Sequence, residues 1–311
     1  MTPDTPLVSI VIPAYNLGRY VGETIESILN QDYPNIELIV LDDGSTDDTG
    51  EVLKKYAGRI YAESHRNMGQ VDTLNKGWDL AKGDILGWIG ADDALLPKAV
   101  STAVACLAAN PDVVLTYCDF NLIDANSKAI RRVRTPDFSY QDMLVNVICP
   151  PGPGAFFRRS AAEATGAWDN TLKIMLDYDY WLRLGLLGPF QRIPEVLALY
   201  RIHLGQETFS RMDERKSAEP ILVVSRLFEN SALPRDLIKF KDKALSNAHL
   251  VSAQLHFRGG RYGLGMGCLS RAFSLCPQNF FTLRIVRLIA NVLFNRMAHK
   301  VLWKINSIRP T

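Results

Sequence analysis

The first two hundred residues alternate between short apolar runs and longer amphipathic segments. The apolar runs have the length of buried strands and cover residues 8–12, 36–41, 59–62, 85–89 and 113–117. The segments between them have helical spacing and cover about residues 18–30, 47 onward, 69–82 and 97–109. This alternation is typical of βαβ units, so the pattern predicts an α/β fold with a mostly parallel sheet and flanking helices.

The pattern loosens after residue 117. We expect extended segments within 118–135, a helix near 139–147 and a Pro/Gly-rich loop at 150–154. From about residue 212 the sequence becomes helical, basic and short of strands. The chain therefore divides into a predicted α/β domain, residues 1–211, and a predicted helical extension, residues 212–311.

Acidic side chains follow two of the predicted strands, as Asp42-Asp43 and as Asp92-Asp93. Open α/β sheets bind ligands at the carboxyl ends of their strands. Two carboxylates that lie close together repel each other unless a cation or hydrogen-bond donors neutralise them. The alternative for Asp92 and Asp93 is that they cap the following helix. Capping accounts for residues 45–48, but not for Asp42 and Asp43, which precede the glycine turn.

A series of motifs in one order resembles the family-2 inverting glycosyltransferases of the GT-A fold. The resemblance covers roughly residues 7–210 and is carried by segments 8–16, 42–47, 67–70, 75–77, 91–93, 153–159, 176–183 and 200–203. It implies a Rossmann-like GT-A domain that transfers a sugar from a nucleoside-diphosphate donor, a UDP-sugar first of all.

The resemblance also implies the residues of the donor site. Pro13, Tyr15 and Asn16 would shape the nucleotide pocket, and Asp42 or Asp43 would meet the base or ribose. Arg201 would serve the donor phosphates, with a surface salt bridge as the alternative. The implied donor-site residues are Pro13, Tyr15, Asn16, Asp42, Asp43, Asn67, Gly69, Asp92 and Arg201.

A divalent cation is implied at the second acidic pair. Asp92 and Asp93 would hold Mg²⁺ or Mn²⁺, since hard oxygen ligands and phosphate favour these ions. Many members of the family carry Asp or Asn where this chain has Gly90, so a further ligand is needed. His203 matches a histidine near the donor phosphates in such proteins and is the expected third ligand.

Inverting transfer needs a general base on the acceptor side. The family uses an Asp preceded by Glu at the start of a helix, and here the corresponding pair is Leu176-Asp177. Asp177 is therefore the implied base and Asp179 the second candidate. A helix N-cap is the other interpretation of Asp177, and the two roles are compatible.

Other nucleotide-binding classes have little support. No G-x-G-x-x-G follows the first strand, and no glycine-rich loop ends in Gly-Lys-Ser/Thr. Five cysteines without C-x-x-C spacing argue against a disulfide framework or structural zinc and favour a reducing cytoplasm. The N-terminus lacks the basic region of a signal peptide, and no uncharged apolar run has the length of a membrane span.

The C-terminal part is strongly basic. From Pro234 onward it has 13 Lys and Arg against two acids, so it carries +11 while the remainder carries about −9. Residues 253–277 fit one tetratricopeptide-like helix pair, which would pack on the body or form a homodimer contact. Residues 280–308 predict an amphipathic helix that lies in an anionic membrane interface or in the core of the helical part. No nucleic-acid-binding motif is present.

Together these features predict a cytoplasmic, metal-dependent inverting glycosyltransferase, bound peripherally at the inner face of the plasma membrane in one interpretation. The acceptor would be a hydroxyl of a saccharide or lipid-linked molecule, as in cell-surface polysaccharide or glycan synthesis. The alternative, suggested by Gly90 and Leu176, is a non-catalytic sugar-nucleotide-binding or scaffold protein.

Overall fold

The chain folds as two compact units. The computed structural model describes residues 5–203, 205–206 and 212–281. One unit comprises Met1–Met143 and Ile148–Phe209, and the other comprises Leu144–Val147 and Ser210–Thr311. The predicted division at 211/212 stays a prediction, because residues 207–211 lie outside the described part of the chain.

The first unit is built on a mixed sheet. Its strands in the described residues are β1 (Val8–Ala14), β2 (Ile36–Asp42), β3 (Tyr61–Ser64), β4 (Ile85–Trp88), β5 (Ala94–Leu95), β6 (Leu115–Ile123), β7 (Ala129–Val133), β8 (Phe156–Arg158) and β9 (Phe190–Arg201). Their order is β3-β2-β1-β4-β8-β6-β9-β5, with β7 paired to β6. The helices up to residue 184 are α1 (Gly18–Leu29), α2 (Thr49–Lys54), α3 (Gln70–Leu80), α4 (Ala99–Ala109), α5 (Tyr140–Asn146), α6 (Arg159–Thr165) and α7 (Leu176–Leu184).

The predicted parallel arrangement is confirmed in the first half of the sheet. Strand β1 pairs in parallel with both β2 and β4, so Val8 lies opposite Ile36 on one side and Ile85 on the other. All seven residues of β1 are buried, which is expected of a central strand covered on both faces. Beyond β4 the sheet is mixed, because β8 runs antiparallel to both β4 and β6.

The segment after Asp93 differs from the prediction. Ala94 and Leu95 form a two-residue strand antiparallel to β9, with Ala94 opposite Leu199, and α4 begins only at Ala99. The N-cap of α4 is Lys98, without a side-chain hydrogen bond, so the capping interpretation of Asp92 and Asp93 is wrong. Pairing with β9 outweighs early helix formation here, and it brings the end of β9 beside the acidic pair.

The second unit is helical in its described residues. It contains α8 (Glu214–Glu229), α9 (Lys241–Arg258) and α10 (Tyr262–Leu275), with short 3-10 helices at Arg235–Phe240 and Pro277–Phe281. Helices α9 and α10 form the predicted hairpin, and Gly265 allows their close approach because a Cβ there would lie 2.5 Å from Cε1 of Phe257.

None of the helices in the described ranges combines the length and apolar character needed to cross a bilayer. The predicted amphipathic helix at 280–308 lies almost wholly outside these ranges, which end at residue 281.

Candidate active site

The loops that follow β1 and β2 are joined by hydrogen bonds. Asn16, two residues after the end of β1, has a backbone φ of 52°, in the left-handed region that asparagine tolerates better than most residues. Its backbone N–H donates to Ser45 Oγ (2.9 Å), and its Oδ1 accepts from the backbone N–H of Thr46 (2.8 Å). Gly18 N–H donates to Asp47 Oδ2 at 3.0 Å. These bonds hold the loops after β1 and β2 together.

The Asp42-Asp43 pair is buried and organises the surrounding backbone. Asp42 accepts from the Ser45 backbone N–H and from the Ser64 hydroxyl, each at 2.9 Å. Asp43 accepts from the backbone N–H groups of Met68 (2.7 Å) and Gly69 (2.9 Å). Each carboxylate therefore fixes a loop, and only its remaining lone pairs are available to a nucleotide.

The other predicted pocket residues lie around the same loops. Tyr15 is 48% exposed and Asn67 is exposed, whereas Pro13 is buried within β1 opposite Leu41. Gly69 has a φ of 92° and directly precedes α3, which is a conformation suited to glycine. Tyr15 and Asn67 thus present side chains to solvent, while Pro13 and Gly69 shape the backbone.

The side chains of Asp92 and His203 are in contact. The Nε2 of His203 lies 3.0 Å from Oδ2 of Asp92, and the Gln206 amide nitrogen lies 3.3 Å from the same oxygen. The backbone N–H of Gly205 donates to Nδ1 of His203 at 3.2 Å. Since Nδ1 is the acceptor, Nε2 carries the proton that Asp92 accepts.

Asp93, the other implied metal ligand, is engaged by the Arg201 backbone. It is buried, and its Oδ1 accepts from the backbone N–H of Arg201 at 2.9 Å. Burial, together with the charge of Asp92, raises the pKa of the Asp93 carboxyl well above its ordinary range. The Thr24 hydroxyl lies 2.9 Å from the Ala91 carbonyl and 2.6 Å from the Asp93 carbonyl, so α1 holds the backbone of this turn.

The guanidinium of Arg201 is directed into the protein. The side chain is 1% exposed, and its Nε donates to the Asp92 carbonyl at 2.7 Å. Its Nη2 donates to Glu23 Oε2 at 2.7 Å. The surface salt bridge considered for Arg201 is therefore wrong, since the pair is buried on the arginine side. A contact from Arg201 to donor phosphates stays a prediction that this geometry does not favour.

The donor set at Asp92 is chemically suited to a divalent cation. The described residues contain no group of three or more His, Cys, Asp or Glu side chains arranged to hold a metal ion, and the two predicted ligands that lie in contact are the Asp92 carboxylate and the His203 imidazole. A Cβ at position 90 would lie 2.6 Å from Asp92 Oδ1, so Gly90 leaves the space this carboxylate fills. Carboxylate and imidazole both ligate Mn²⁺, and a cation would take the place of the proton between them.

Asp177 lies in the first turn of α7, where the sequence motif places it. Its Oδ1 is shielded from solvent and has no hydrogen-bond partner in the described part of the chain. Loss of solvation raises the pKa of the Asp177 carboxyl to about 7. A carboxylate with this pKa can accept a proton near neutral pH.

An aromatic group behind α7 was not apparent from the sequence. The rings of Trp168 and Tyr180 are stacked 4.4 Å apart, and Trp88 of β4 meets the Trp168 ring edge-on at 5.8 Å. The side-chain amide of Asn75 in α3 forms two hydrogen bonds with the Trp168 backbone. It accepts from the backbone N–H (2.9 Å) and donates to the carbonyl (3.1 Å). The group links α7 to the strand that leads to Asp92.

The fold and the family comparison define a glycosyltransferase of the GT-A class. The model of the family described as "Glycosyl transferase family 2" matches residues 9–166, and the chain belongs to this family. An uncharacterised glycosyltransferase of Rickettsia prowazekii is 32% identical over 226 residues, which cover 70% of each chain. A chondroitin synthase of Escherichia coli is 31% identical over 218 residues, 68% of this chain but 31% of that one.

Solved structures of low identity share the fold. Residues 1–349 of TarS from S. aureus, in complex with UDP-GlcNAc, superpose with a TM-score of 0.64 at 15% identity, covering 85% of this chain and 90% of that one. The mannosyltransferase PcManGT of Pyrobaculum calidifontis, in complex with GDP-Man and Mn²⁺, gives a TM-score of 0.62 at 18% identity, covering 95% and 81%. The predicted GT-A fold and glycosyltransferase class are confirmed.

Proposed function

We propose that this chain is a metal-dependent inverting glycosyltransferase with Asp177 as its general base. The observation that carries the proposal is the unpartnered, shielded Oδ1 of Asp177, whose carboxyl has a pKa of about 7. Burying a carboxylate oxygen without a hydrogen-bond partner lowers the stability of a folded protein. Groups whose pKa is shifted in this way are concentrated at functional sites. Asp179, the second candidate, forms an ion pair with Arg183 at 2.9 Å and is the poorer base.

The proposed reaction is a single displacement. Asp177 accepts the proton of the acceptor hydroxyl as that oxygen forms a bond to the anomeric carbon of the donor sugar. The bond from this carbon to the phosphate oxygen breaks on the opposite face, and its electron pair leaves with the nucleoside diphosphate. Attack opposite the leaving group inverts the anomeric configuration.

On the donor side, the loops fixed by Asn16, Asp42 and Asp43 would bind the nucleoside, with Tyr15 and Asn67 at the exposed edge. Asp92 and His203 would hold the cation, and Asp93 would fix the turn through the Arg201 backbone. A bound Mg²⁺ or Mn²⁺ would offset the charge that develops on the departing diphosphate. The Mn²⁺ in the PcManGT complex supports this assignment.

We further propose a UDP-sugar as the donor and a saccharide or lipid-linked hydroxyl as the acceptor, in synthesis of a cell-surface polysaccharide or glycan. The UDP-GlcNAc in the TarS complex and the similarity to chondroitin synthase support these choices. The basic C-terminal part supports a cytoplasmic enzyme held at the inner face of the plasma membrane. The helical hairpin α9–α10 is a candidate homodimer contact.

The test is a thermal-shift screen of UDP- and GDP-sugars with Mn²⁺ or with chelator, followed by an assay of product and of donor hydrolysis. A ligand that binds the native state raises Tm, so the true donor should do so most strongly with Mn²⁺. Turnover that disappears in the Asp177→Asn variant supports the enzyme. Donor binding without any Asp177-dependent turnover or hydrolysis would instead favour the non-catalytic binding protein.

A further inference from the structure

Arg201 connects four separate segments beneath the Asp92–His203 pair. Its Nη1 donates to the Ser127 hydroxyl at 2.8 Å and to the Asp124 carbonyl at 3.2 Å. The Nε atom donates to the Asp92 carbonyl and Nη2 donates to Glu23, so each of the three guanidinium nitrogens donates at least one hydrogen bond. The backbone N–H of the same residue holds Asp93.

The partners of Arg201 converge on one turn of α1. Glu23 accepts from Arg201 and also from the Ser127 hydroxyl, at 3.0 and 2.9 Å to its two oxygens. The Cζ of Arg201 lies 4.8 Å from the centre of the Tyr20 ring, and the His203 ring lies 4.8 Å from the same centre. Tyr20 therefore contacts both Arg201 and the imidazole that meets Asp92.

We propose that Arg201, anchored by Glu23, is a positioning residue for a divalent-cation site at Asp92 and His203. The inference rests on the proposed function, because it presumes that the cation binds there. Arg201 fixes the Asp92 backbone through Nε and lies two residues before His203 on the same strand end. It thereby sets the spacing between carboxylate and imidazole without touching the cation.

Lysine cannot reproduce this arrangement, because its ammonium lacks the planar fork that reaches Asp92, Ser127 and Glu23 together. Groups that orient metal ligands from behind typically change metal affinity by about 10–100-fold when they are replaced. Loss of the Arg201 contacts should therefore weaken cation binding in addition to any loss of stability.

Arg192 offers a matched control on the same strand. It is also a largely buried arginine, with a 7% exposed side chain, and it donates three hydrogen bonds to the buried Asp119. Its partners Asp119, Thr135 and Asp137 are not residues of the predicted donor or acceptor site. An Arg192→Lys variant should lose stability and keep its cation affinity.

The experiment measures Mn²⁺ binding to the full chain by the loss of the free-ion EPR signal, with and without UDP, alongside thermal unfolding in chelator. We expect Arg201→Lys to weaken Mn²⁺ binding in the presence of UDP by about tenfold or more, and Arg192→Lys to leave it within about twofold. Glu23→Gln should weaken it in the same direction as Arg201→Lys. Its side chain is 43% exposed, so this variant provides the test if Arg201→Lys does not fold.

Wild-type Mn²⁺ affinity in folded Arg201→Lys and Glu23→Gln would overturn the positioning role and leave the proposed metal dependence intact. An equal loss of affinity in Arg192→Lys would also overturn it, since the effect would then follow stability alone. A wild-type chain that binds no Mn²⁺ in the presence of UDP or of GDP would refute the metal dependence itself, and the positioning role with it.

Discussion

Asp177 and Asp179 lie two residues apart on α7, yet their carboxylates have opposite environments. Asp179 accepts a hydrogen bond from Arg183 Nε at 2.9 Å, and Arg183 also donates to the Thr165 and Ala167 carbonyls. Asp177 has an oxygen with no partner in the described residues and a carboxyl whose pKa is raised to about 7. Successive helical residues point about 100° apart, so a separation of two places these side chains on different sides of the helix.

This difference predicts opposite results for two matched variants. Asp177→Asn should reduce kcat by roughly 10²–10⁴, the usual contribution of a positioned base, while leaving donor affinity nearly unchanged. Asp179→Asn removes an ion pair and should lower Tm while retaining most activity. Steady-state kinetics with a product assay would check both. Full loss of activity in Asp179→Asn, with none in Asp177→Asn, would identify Asp179 as the general base instead.

The pH dependence of activity follows from the same group. Because the base must be ionised and its pKa in the free protein is about 7, kcat/KM should rise as pH increases through about 7 and then level off. A profile already flat from pH 5 upward would contradict the assignment.

Asp177 should also reduce stability when it is charged. The pKa of Asp177 is about 7 in the folded protein and about 3.9 in the unfolded chain. Its contribution therefore leaves the folded state fully stable below about pH 3.9, and stability is lost as the pH rises from there through about 7. Asp177→Asn should therefore raise Tm at pH 8 and change it little at pH 4. Thermal unfolding of both proteins at the two pH values gives the comparison, and an equal shift at both would refute it.

Removal of the metal ligands should affect donor binding and turnover together. Asp92→Asn should reduce turnover by about 10²-fold or more, because the charge of the leaving diphosphate loses its stabilisation. Asp93→Asn should also reduce turnover, through the Arg201 backbone that it fixes. The measurement is donor affinity and kcat over a range of Mn²⁺ concentrations. Full activity of an Asp92→Asn/Asp93→Asn double variant in chelator would exclude a metal role for this pair.

A buried ion cluster in β6 and β9 predicts a distinct acid sensitivity. Burial alone would raise the pKa of Asp119, but hydrogen bonds from Arg132, Arg192 and Thr135 outweigh it and lower this pKa to about 2. The stabilisation is present above the unfolded pKa of about 3.9 and is lost as pH falls toward 2.

Asp119→Asn should therefore lower the free energy of unfolding at pH 7 by about 3–5 kcal/mol, the usual cost of breaking a buried pair. The exposed partner Asp137 provides the control, since Asp137→Asn should cost at most about 1 kcal/mol. Urea unfolding at pH 7 and pH 3 measures both. Equal costs for the two variants would mean that the cluster does not stabilise the fold as inferred.

The basic segment beyond residue 281 gives a membrane prediction that rests on the sequence. In the full chain, replacing Arg284, Arg287, Lys300 and Lys304 with Gln should reduce flotation with anionic liposomes at low salt, since each basic residue contributes about 1 kcal/mol. Raising the salt concentration should weaken binding of the wild type. Replacing the exposed basic residues at 235, 239, 241 and 243 controls for net charge. Equal flotation of wild type and the 284–304 variant would contradict membrane attachment through this segment.

The sequence predicted the elements whose signals are local. Strands β1, β2 and β4 are continuous apolar runs, and Asp92, His203 and Asp177 belong to recognisable motifs. Strand β5 has only two residues, which is too short for a periodic pattern, and its partner β9 lies about a hundred residues later in the chain. The sequence around it therefore does not predict a strand. The buried position of Arg201 depends on Glu23 and Ser127, which are distant in the sequence, and a charged residue ordinarily predicts exposure.

Gly90 controls the room available to the Asp92 carboxylate. Any side chain there would begin 2.6 Å from Asp92 Oδ1, and Asp92 is the residue that meets His203. A single change to Asp, which would restore the family's extra carboxylate, would displace Asp92 before it could add a ligand. Grafting an acidic residue into position 90 would therefore first turn the Asp92 carboxylate away from His203, so such a graft has to be judged by whether the Asp92–His203 contact re-forms.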